Sequence, residues 1–594
     1  MTGVQGRWPK QDRVALSAAL VVGLVAGLAV AAKTFTGTML LNWDQVIGGV
    51  IPVPPGQYGS GLELPRRVPF YTLLAPFSRA VPGPAVVGVV VTLSVTAAVV
   101  GVVRLCRPGN RLMTSAFALV YGLSPFILTR TAMGHLPLVV AAALLPWMMV
   151  SLSQHRRPTV IVWSAVYALT GSSGAVLGLV PIVVHLLGES RGRWMATARR
   201  LAAVALAQSI WVIPGLVAVW RGVPLPVTAA SAFTTRVEDV SDLVSLVVGG
   251  GFFVRSEDVA AGNPWSVVLG LVLVLFALAF LVLMQFAPAV FVPGRHDPDA
   301  APTAATGVLL AWSGAVGAVL VIAPAIPGLD RLFGLAGWGP LGVVRETQKF
   351  WPLAFLSLAL FSVRGLSLLS NDRRTLSAIS ALATVGLVSV TVASAWSGLW
   401  GAGGRLEAYD PPAAWTEIEQ VLSDEPGNVV VFPWRRYERL DLSQGRNVLQ
   451  PAPWLLTERD PNSIFVSGNP GLEPDANERG EPLEAVLADL DVQVRGGFEI
   501  GPQLQVAGVR WVLIEGSPDA KFYRRLANEP QILAKVEVDD YLLYAVVPAG
   551  EGSADGGANS DPIRSPPPLA MMLALAGAVP TVAALGLGAR SARR

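Results

Sequence analysis

Asp44 is one of only two acids between residues 33 and 83, the other being Glu63. It follows a long apolar run, in the string Asn42-Trp43-Asp44-Gln45. A carboxylate held at a membrane surface can take the proton from a hydroxyl nucleophile. The bland alternative is a helix-capping Asp in a solvated loop. A second candidate is Arg345-Glu346-Thr347-Gln348-Lys349-Phe350-Trp351-Pro352. Arg345 and Lys349 are four apart and share a face if the stretch is helical. Two such cations could grip a lipid phosphate, with Glu346 orienting Arg345 or binding an acceptor. The alternative is headgroup anchoring, with Trp351 in the aromatic belt. A third is the turn Thr129-Arg130-Thr131-Ala132-Met133-Gly134-His135. Here Arg130 could meet a phosphate or a sugar, or simply snorkel to the interface.

Other stretches carry weaker signals. In 237–246, Val237, Val240, Leu243 and Leu246 recur every three residues between Glu238, Asp239 and Asp242, an amphipathic helix on a bilayer or beside a cavity. Phe432-Pro433-Trp434-Arg435-Arg436-Tyr437 offers rings that could stack on sugars, or ordinary packing aromatics at a strand end. Asp489-Leu490-Asp491 has the spacing of a metal-binding D-x-D and leaves a divalent metal open as cofactor. The four histidines are scattered and show no zinc spacing. The single cysteine, Cys106, excludes an intramolecular disulfide. There is no Walker loop and no G-x-G-x-x-G.

The elements that must position these residues are membrane spans. Of 594 residues, 52% are hydrophobic and 14% charged, well below the roughly 25% charged of a soluble domain. Runs of about 20 apolar residues predict spans near 14–32, 84–103, 112–129, 136–152, 159–170, 174–188, 201–220, 265–287, 305–325, 352–369, 376–396 and 566–588. The pair 159–170 and 174–188 is short enough for a re-entrant hairpin. Ala29-Val30-Ala31 resembles a signal cleavage site, but the run before it exceeds the 7–15 residues of a signal core; a retained anchor is expected.

Arg and Lys fall in alternate connections: Arg7, Lys10, Arg13; Arg104, Arg107, Arg111; Arg156, Arg157; Arg191 to Arg200; Arg295; Arg373, Arg374; and Arg590 to Arg594. By the positive-inside rule both termini are cytoplasmic. The net charge of +3 therefore reports orientation, not nucleic-acid binding. The long segments 33–83, 223–264, 326–351 and 397–565 then lie outside. Three regions follow: a membrane domain of eleven spans over 1–396, an extracytoplasmic α/β domain with linker over 397–565, and a last span with its tail over 566–594. In the α/β domain, 428–432 and 509–514 read as buried neighbouring strands. The segments 411–422, 483–490 and 518–528 read as helices, and ILAKVEV with YLLYAVV as a hairpin.

Together these features resemble the GT-C superfamily of membrane glycosyltransferases, most closely the N-terminal membrane core of actinobacterial cell-wall arabinofuranosyltransferases. The likeness rests on Trp43-Asp44, Gly56-Gln57, Tyr58 and Pro69-Phe70 in order, the GGGFF string from Gly249, Gly134-His135, Pro146-Trp147, and R-E-x-x-K-F from Arg345. It implies a GT-C-like fold of about twelve helices in the cell membrane. It also implies a polyprenyl-phosphate-linked sugar as donor, an arabinofuranose where the likeness extends to the sugar, and a cell-envelope polysaccharide as acceptor. Asp44 would be the catalytic base. Arg345, Lys349 and Arg130 would bind the donor phosphate, and Glu346, Gln57, Tyr58 and His135 the substrates. Against that stand an inactive membrane scaffold or glycan-binding protein, and a lipid-linked glycan transporter; the paired acids of many GT-C loops are absent here.

Overall fold

The computed structural model describes residues 10–53, 65, 67–106, 111–154, 159–189, 194–220, 240–252, 254–255, 258–286, 301–323, 326, 346–368, 373–443, 446–456, 464–466 and 482–548. Gln57, Tyr58, Arg345 and the run 566–588 lie outside these residues.

Helices occupy the eleven other predicted positions. With no water in a bilayer core, an apolar run can satisfy its backbone only internally, and the α-helix does so. Among the described residues six helices are long and apolar enough to cross a membrane: Arg13–Phe35, Gly83–Leu105, Arg111–Ala132, Leu136–Ser153, Gly171–Glu189 and Ser380–Gly403. Thr159–Ala168, Pro264–Leu278 and Gly307–Ile322 are shorter apolar helices.

The expected single span 201–220 is instead two helices, Trp194–Ala207 and Ser209–Trp220, meeting at 64°. Gln208 sits at the break. Its amide donates to the carbonyl and hydroxyl of Ser164 on the neighbouring helix, a polar anchor inside an apolar layer.

The first helix packs on Gly83–Leu105 through a small-residue seam. A Cβ on Gly23 would lie 2.9 Å from Thr96 Cα, and one on Gly27 would lie 2.6 Å from the Thr92 carbonyl. Two glycines four apart let the backbones approach, and close packing replaces the hydrophobic drive that lipid cannot supply. Both threonine hydroxyls are satisfied within their own helix.

The C-terminal domain carries a mixed five-stranded sheet. Strands β1 (Met39–Leu41), β2 (Val46–Ile47) and β3 (Ala408–Tyr409) form a separate small sheet. The larger one comprises β4 (Val429–Phe432), β7 (Ile464–Phe465), β8 (Trp511–Glu515), β9 (Ile532–Val538) and β10 (Tyr541–Val546), in the order β7-β4-β8-β10-β9. β4 and β8 pair in parallel, Val430 opposite Val512, and neither is at an edge, as their unbroken apolar sequences predict. Alternation sends Val430, Phe432, Val512 and Ile514 to one face, against Leu487, Leu490, Val494 and Tyr523. It sends Val429, Val431, Trp511 and Leu513 to the other, against Trp415, Ile418 and Leu422. Each such aliphatic side chain contributes about 1.5–3 kcal/mol, which sustains a domain without a disulfide.

This domain is joined to the first loop by backbone pairing. In β1, Met39 faces Tyr409 of β3 and Leu40 faces Ile47 of β2. A hairpin of β5 (Tyr437–Arg439) and β6 (Asn447–Leu449) lies against the same loop, where the Leu449 amide donates to the Asn42 carbonyl (3.3 Å). Met39, Leu41, Val46, Leu440, Val448 and Leu449 form one shared apolar cluster.

Candidate active site

Asp44 lies in the turn between β1 and β2. The Asn42 amide donates to the Gln45 carbonyl (2.8 Å), and the Asp44 amide donates to the Met133 carbonyl (3.1 Å). The turn is thereby tied to the chain just before His135. Gln45 donates its side-chain amide to the Tyr71 hydroxyl (3.0 Å). Tyr71 is buried, its phenol pushed up by loss of solvent, so it stays protonated. In the same loop Phe70 and Tyr71 are buried while Phe77 is 63% exposed.

The turn 129–135 is built by sequence-local signals. The predicted span 112–129 breaks at Leu123-Ser124, and Ser124 restarts it by accepting from the Ile127 amide with Pro125 following. The new helix, Pro125–Ala132, ends at Gly134, whose φ is +81°. A Cβ there would also come within 2.4 Å of Gln45 Cβ, so glycine is required for both reasons. His135 then caps Leu136–Ser153, and its amide donates to the Arg130 carbonyl (2.8 Å). The two side chains are thus delivered together.

They form a polar chain that ends on Asp44. Arg130 Nη1 donates to Glu346 Oε2 (2.7 Å) and to His135 Nδ1 (2.8 Å), and Nη2 donates to Gln348 Oε1 (3.0 Å). His135 Nε2 lies 2.8 Å from Asp44 Oδ2. The Tyr437 hydroxyl donates to Asp44 Oδ1 (2.5 Å), and its ring stacks on Trp43 with centroids 5.1 Å apart. Exposure rises along the chain: the Arg130 side chain is sealed, that of His135 17% open and that of Asp44 25% open. With Glu346 at 19%, Asp44 is the most open of the four side chains.

Behind Arg130 stands the GGGFF segment. Gln348 donates to the carbonyls of Gly249 (2.8 Å) and Gly250 (3.0 Å), and Phe252 lies under the guanidinium at 4.6 Å. Buried Asp258 accepts from the amides of Phe252 and Ala260 (both 2.9 Å). Burial raises its carboxyl, and those amides draw it back down.

Several sequence expectations change here. Arg130 does not snorkel: it is 0% exposed, and its two terminal nitrogens are engaged by Glu346, His135 and Gln348. Its Nη1 holds the His135 ring. Glu346, expected on Arg345 or an acceptor, pairs with Arg130. Lys349 lies on the turn Thr347–Phe350 and is 1% exposed. Asp489 and Asp491 are not a pair: Asp489 accepts from Gln493 (2.7 Å), while Asp491 meets the Tyr523 hydroxyl and Arg495. Among the described residues no cluster of three or more metal-ligating side chains occurs. Gln348 fell on an unspecified position of R-E-x-x-K-F, and nothing in the sequence joined Tyr437 to Asp44.

The chain thus joins a set of apolar helices to a C-terminal α/β domain whose Tyr437 reaches the loop acid Asp44. The solved structure of the arabinofuranosyltransferase AftD from mycobacteria matches it with a TM-score of 0.58 over 90% of this chain, at 15% sequence identity. A mutant form of that protein matches with a TM-score of 0.54 over 91%, again at 15%. The chain spans about two fifths of that protein, 40% and 42% in the two structures. No protein-family model matches the sequence, nor does any curated protein. The likeness is therefore one of fold.

Proposed function

We propose that the protein is a glycosyltransferase that moves a sugar, an arabinofuranose by analogy of fold, from a polyprenyl-phosphate donor to a cell-envelope glycan. The observation that carries this reading is Asp44: a partly open carboxylate, each oxygen anchored by a donor, at the junction of the first loop, the membrane helices and the C-terminal domain. Asp44 takes the proton of an acceptor hydroxyl. The acceptor oxygen bonds to the anomeric carbon, whose bond to the donor phosphate breaks. The polyprenyl phosphate leaves with the electron pair. A phosphate monoester is a good leaving group, so no acid is needed on that side, and Lys349 and Arg345 are assigned to its developing charge.

The reaction is placed on the extracytoplasmic face, with 397–565 outside, both termini cytoplasmic and twelve spans in all. The Arg distribution supports that orientation. Gln57 and Tyr58 are assigned to substrate binding, and His135 to positioning Asp44.

The test is turnover by purified protein of a synthetic polyprenyl-phosphoryl arabinofuranose with an alkyl arabinofuranoside acceptor. Asp44→Asn keeps the shape and removes the base. It should abolish transfer while leaving retention of the donor lipid unchanged. Full activity in Asp44→Asn defeats Asp44 as the base, whereas no transfer by the wild-type protein defeats the function and favours the scaffold reading.

A further inference from the structure

Asp44 has one anchor from the membrane domain and one from the other end of the chain. His135 holds Oδ2. Taken alone, that contact leaves the carboxylate free to turn, because the terminal torsion of Asp is broad. The Tyr437 hydroxyl, 2.5 Å from Oδ1, is at the distance of a phenol donating to an ionised carboxylate. Two donors on different oxygens fix the plane of the group, and with it the direction of its remaining lone pairs.

Tyr437 is itself firmly placed. It pairs with Leu449 across the β5–β6 hairpin, and the Gln450 amide donates to the Arg436 carbonyl (3.0 Å). The loop side is pinned to the same domain by Arg67. Its guanidinium donates to the carbonyls of Val46 (2.8 Å) and Pro52 (3.2 Å) and lies 3.8 Å over the Trp454 ring. The stack of Tyr437 on Trp43 accounts for its ring and leaves the hydroxyl contact unexplained as packing.

We propose that Tyr437 is a positioning residue for Asp44, so that the C-terminal domain completes a site the membrane domain cannot finish alone. The inference rests on the reading of Asp44 as base. Among the described residues, the ionisable groups that face Asp44 include His135, Tyr437 and Tyr71, with Arg130 behind His135.

Tyr437→Phe keeps the ring on Trp43 and removes only the hydroxyl, so the fold is retained. In the transfer assay kcat should fall roughly ten- to a hundredfold, with both KM values within about twofold. The acid limb of the kcat–pH profile should move to higher pH, because a donor to the charged carboxylate is lost. A Tyr437→Phe protein with wild-type kcat and an unmoved acid limb overturns the proposal, as does a change in KM alone. A readout without substrate separates this from the proposed function. The infrared band of the Asp44 carboxylate, isolated by subtracting the Asp44→Asn spectrum, should titrate at higher pH in Tyr437→Phe. An unchanged titration sinks the role of Tyr437 whatever the turnover. Full turnover in Asp44→Asn sinks Asp44 as base, and absence of turnover in the wild-type protein sinks the function instead.

Discussion

Arg130 Nη1 and His135 Nδ1 lie 2.8 Å apart, and a guanidinium can only donate. The imidazole must therefore accept at Nδ1 and carry its proton on Nε2, aimed at Asp44. Arg130 thus donates both ways, to Glu346 on one side and to His135 on the other, and His135 in turn donates to Asp44. The tautomer is set by a residue that is itself sealed from solvent.

That arrangement ranks substitutions at His135. A glutamine can accept from Arg130 with its carbonyl and donate to Asp44 with its amide. A leucine can do neither. The expected order of kcat is wild type, then His135→Gln, then His135→Leu, the last reduced roughly a hundredfold. Equal rates in the two variants would show that His135 acts only by filling space.

Arg130 and Glu346 should behave as a coupled pair. Removing the cation alone, in Arg130→Met, takes away the partner 2.7 Å from a carboxylate whose side chain is 19% exposed. The loss should be up to about 3–5 kcal/mol. Glu346→Gln in the same background should recover part of it, a coupling of about 1–3 kcal/mol. Thermal unfolding of the four proteins in one detergent measures this cycle, and additive losses would contradict the pairing.

Glu515 makes the C-terminal domain sensitive to pH. It is 3% exposed at the end of β8. Burial pushes its carboxyl from 4.5 up to about 8; the Ala452 amide opposes that shift and nearby Glu438 adds to it. The folded state therefore holds a proton that the unfolded state releases, and stability falls as pH rises from 4.5 to about 8. The slope is at most about 1.4 kcal/mol per pH unit. Glu515→Gln should flatten this window and be the more stable protein at pH 8. Denaturant titrations at several pH values check it, and parallel curves for the two proteins would refute it.

Sidedness has a direct test. Val506 is 91% exposed on the C-terminal domain, whereas the native Cys106 is fully buried. Val506→Cys should react with an impermeant thiol reagent in intact cells, and Ser591→Cys only after permeabilisation. The reverse pattern would invert the topology.

The membrane helices were legible because an apolar run of sufficient length has one backbone solution in lipid. The strands β4 and β8 were legible because both faces had to be covered. Asp44 stood out as a rare acid after a span. Arg130 was misjudged because an isolated Arg near a span end usually reaches water; its three partners come from residues 135, 346 and 348, two of them more than two hundred positions away. Tyr437 read as a packing ring for the same reason. A contact across 393 residues leaves no periodicity or spacing in a single sequence.

The pairing of β1 with β3 has a consequence for manufacture. The ribosome releases Asp44 some 393 residues before Tyr437. At roughly 5–20 residues per second, that interval is roughly 20–80 seconds. Throughout it the first loop waits without its neighbouring strand, without the hairpin that covers it and without the second anchor on its acid. The helices can enter the bilayer in order, but the centre around Asp44 is assembled last. A nascent or prematurely terminated chain ending before β3 would sit in the membrane with the Asp44 carboxylate held from the His135 side alone.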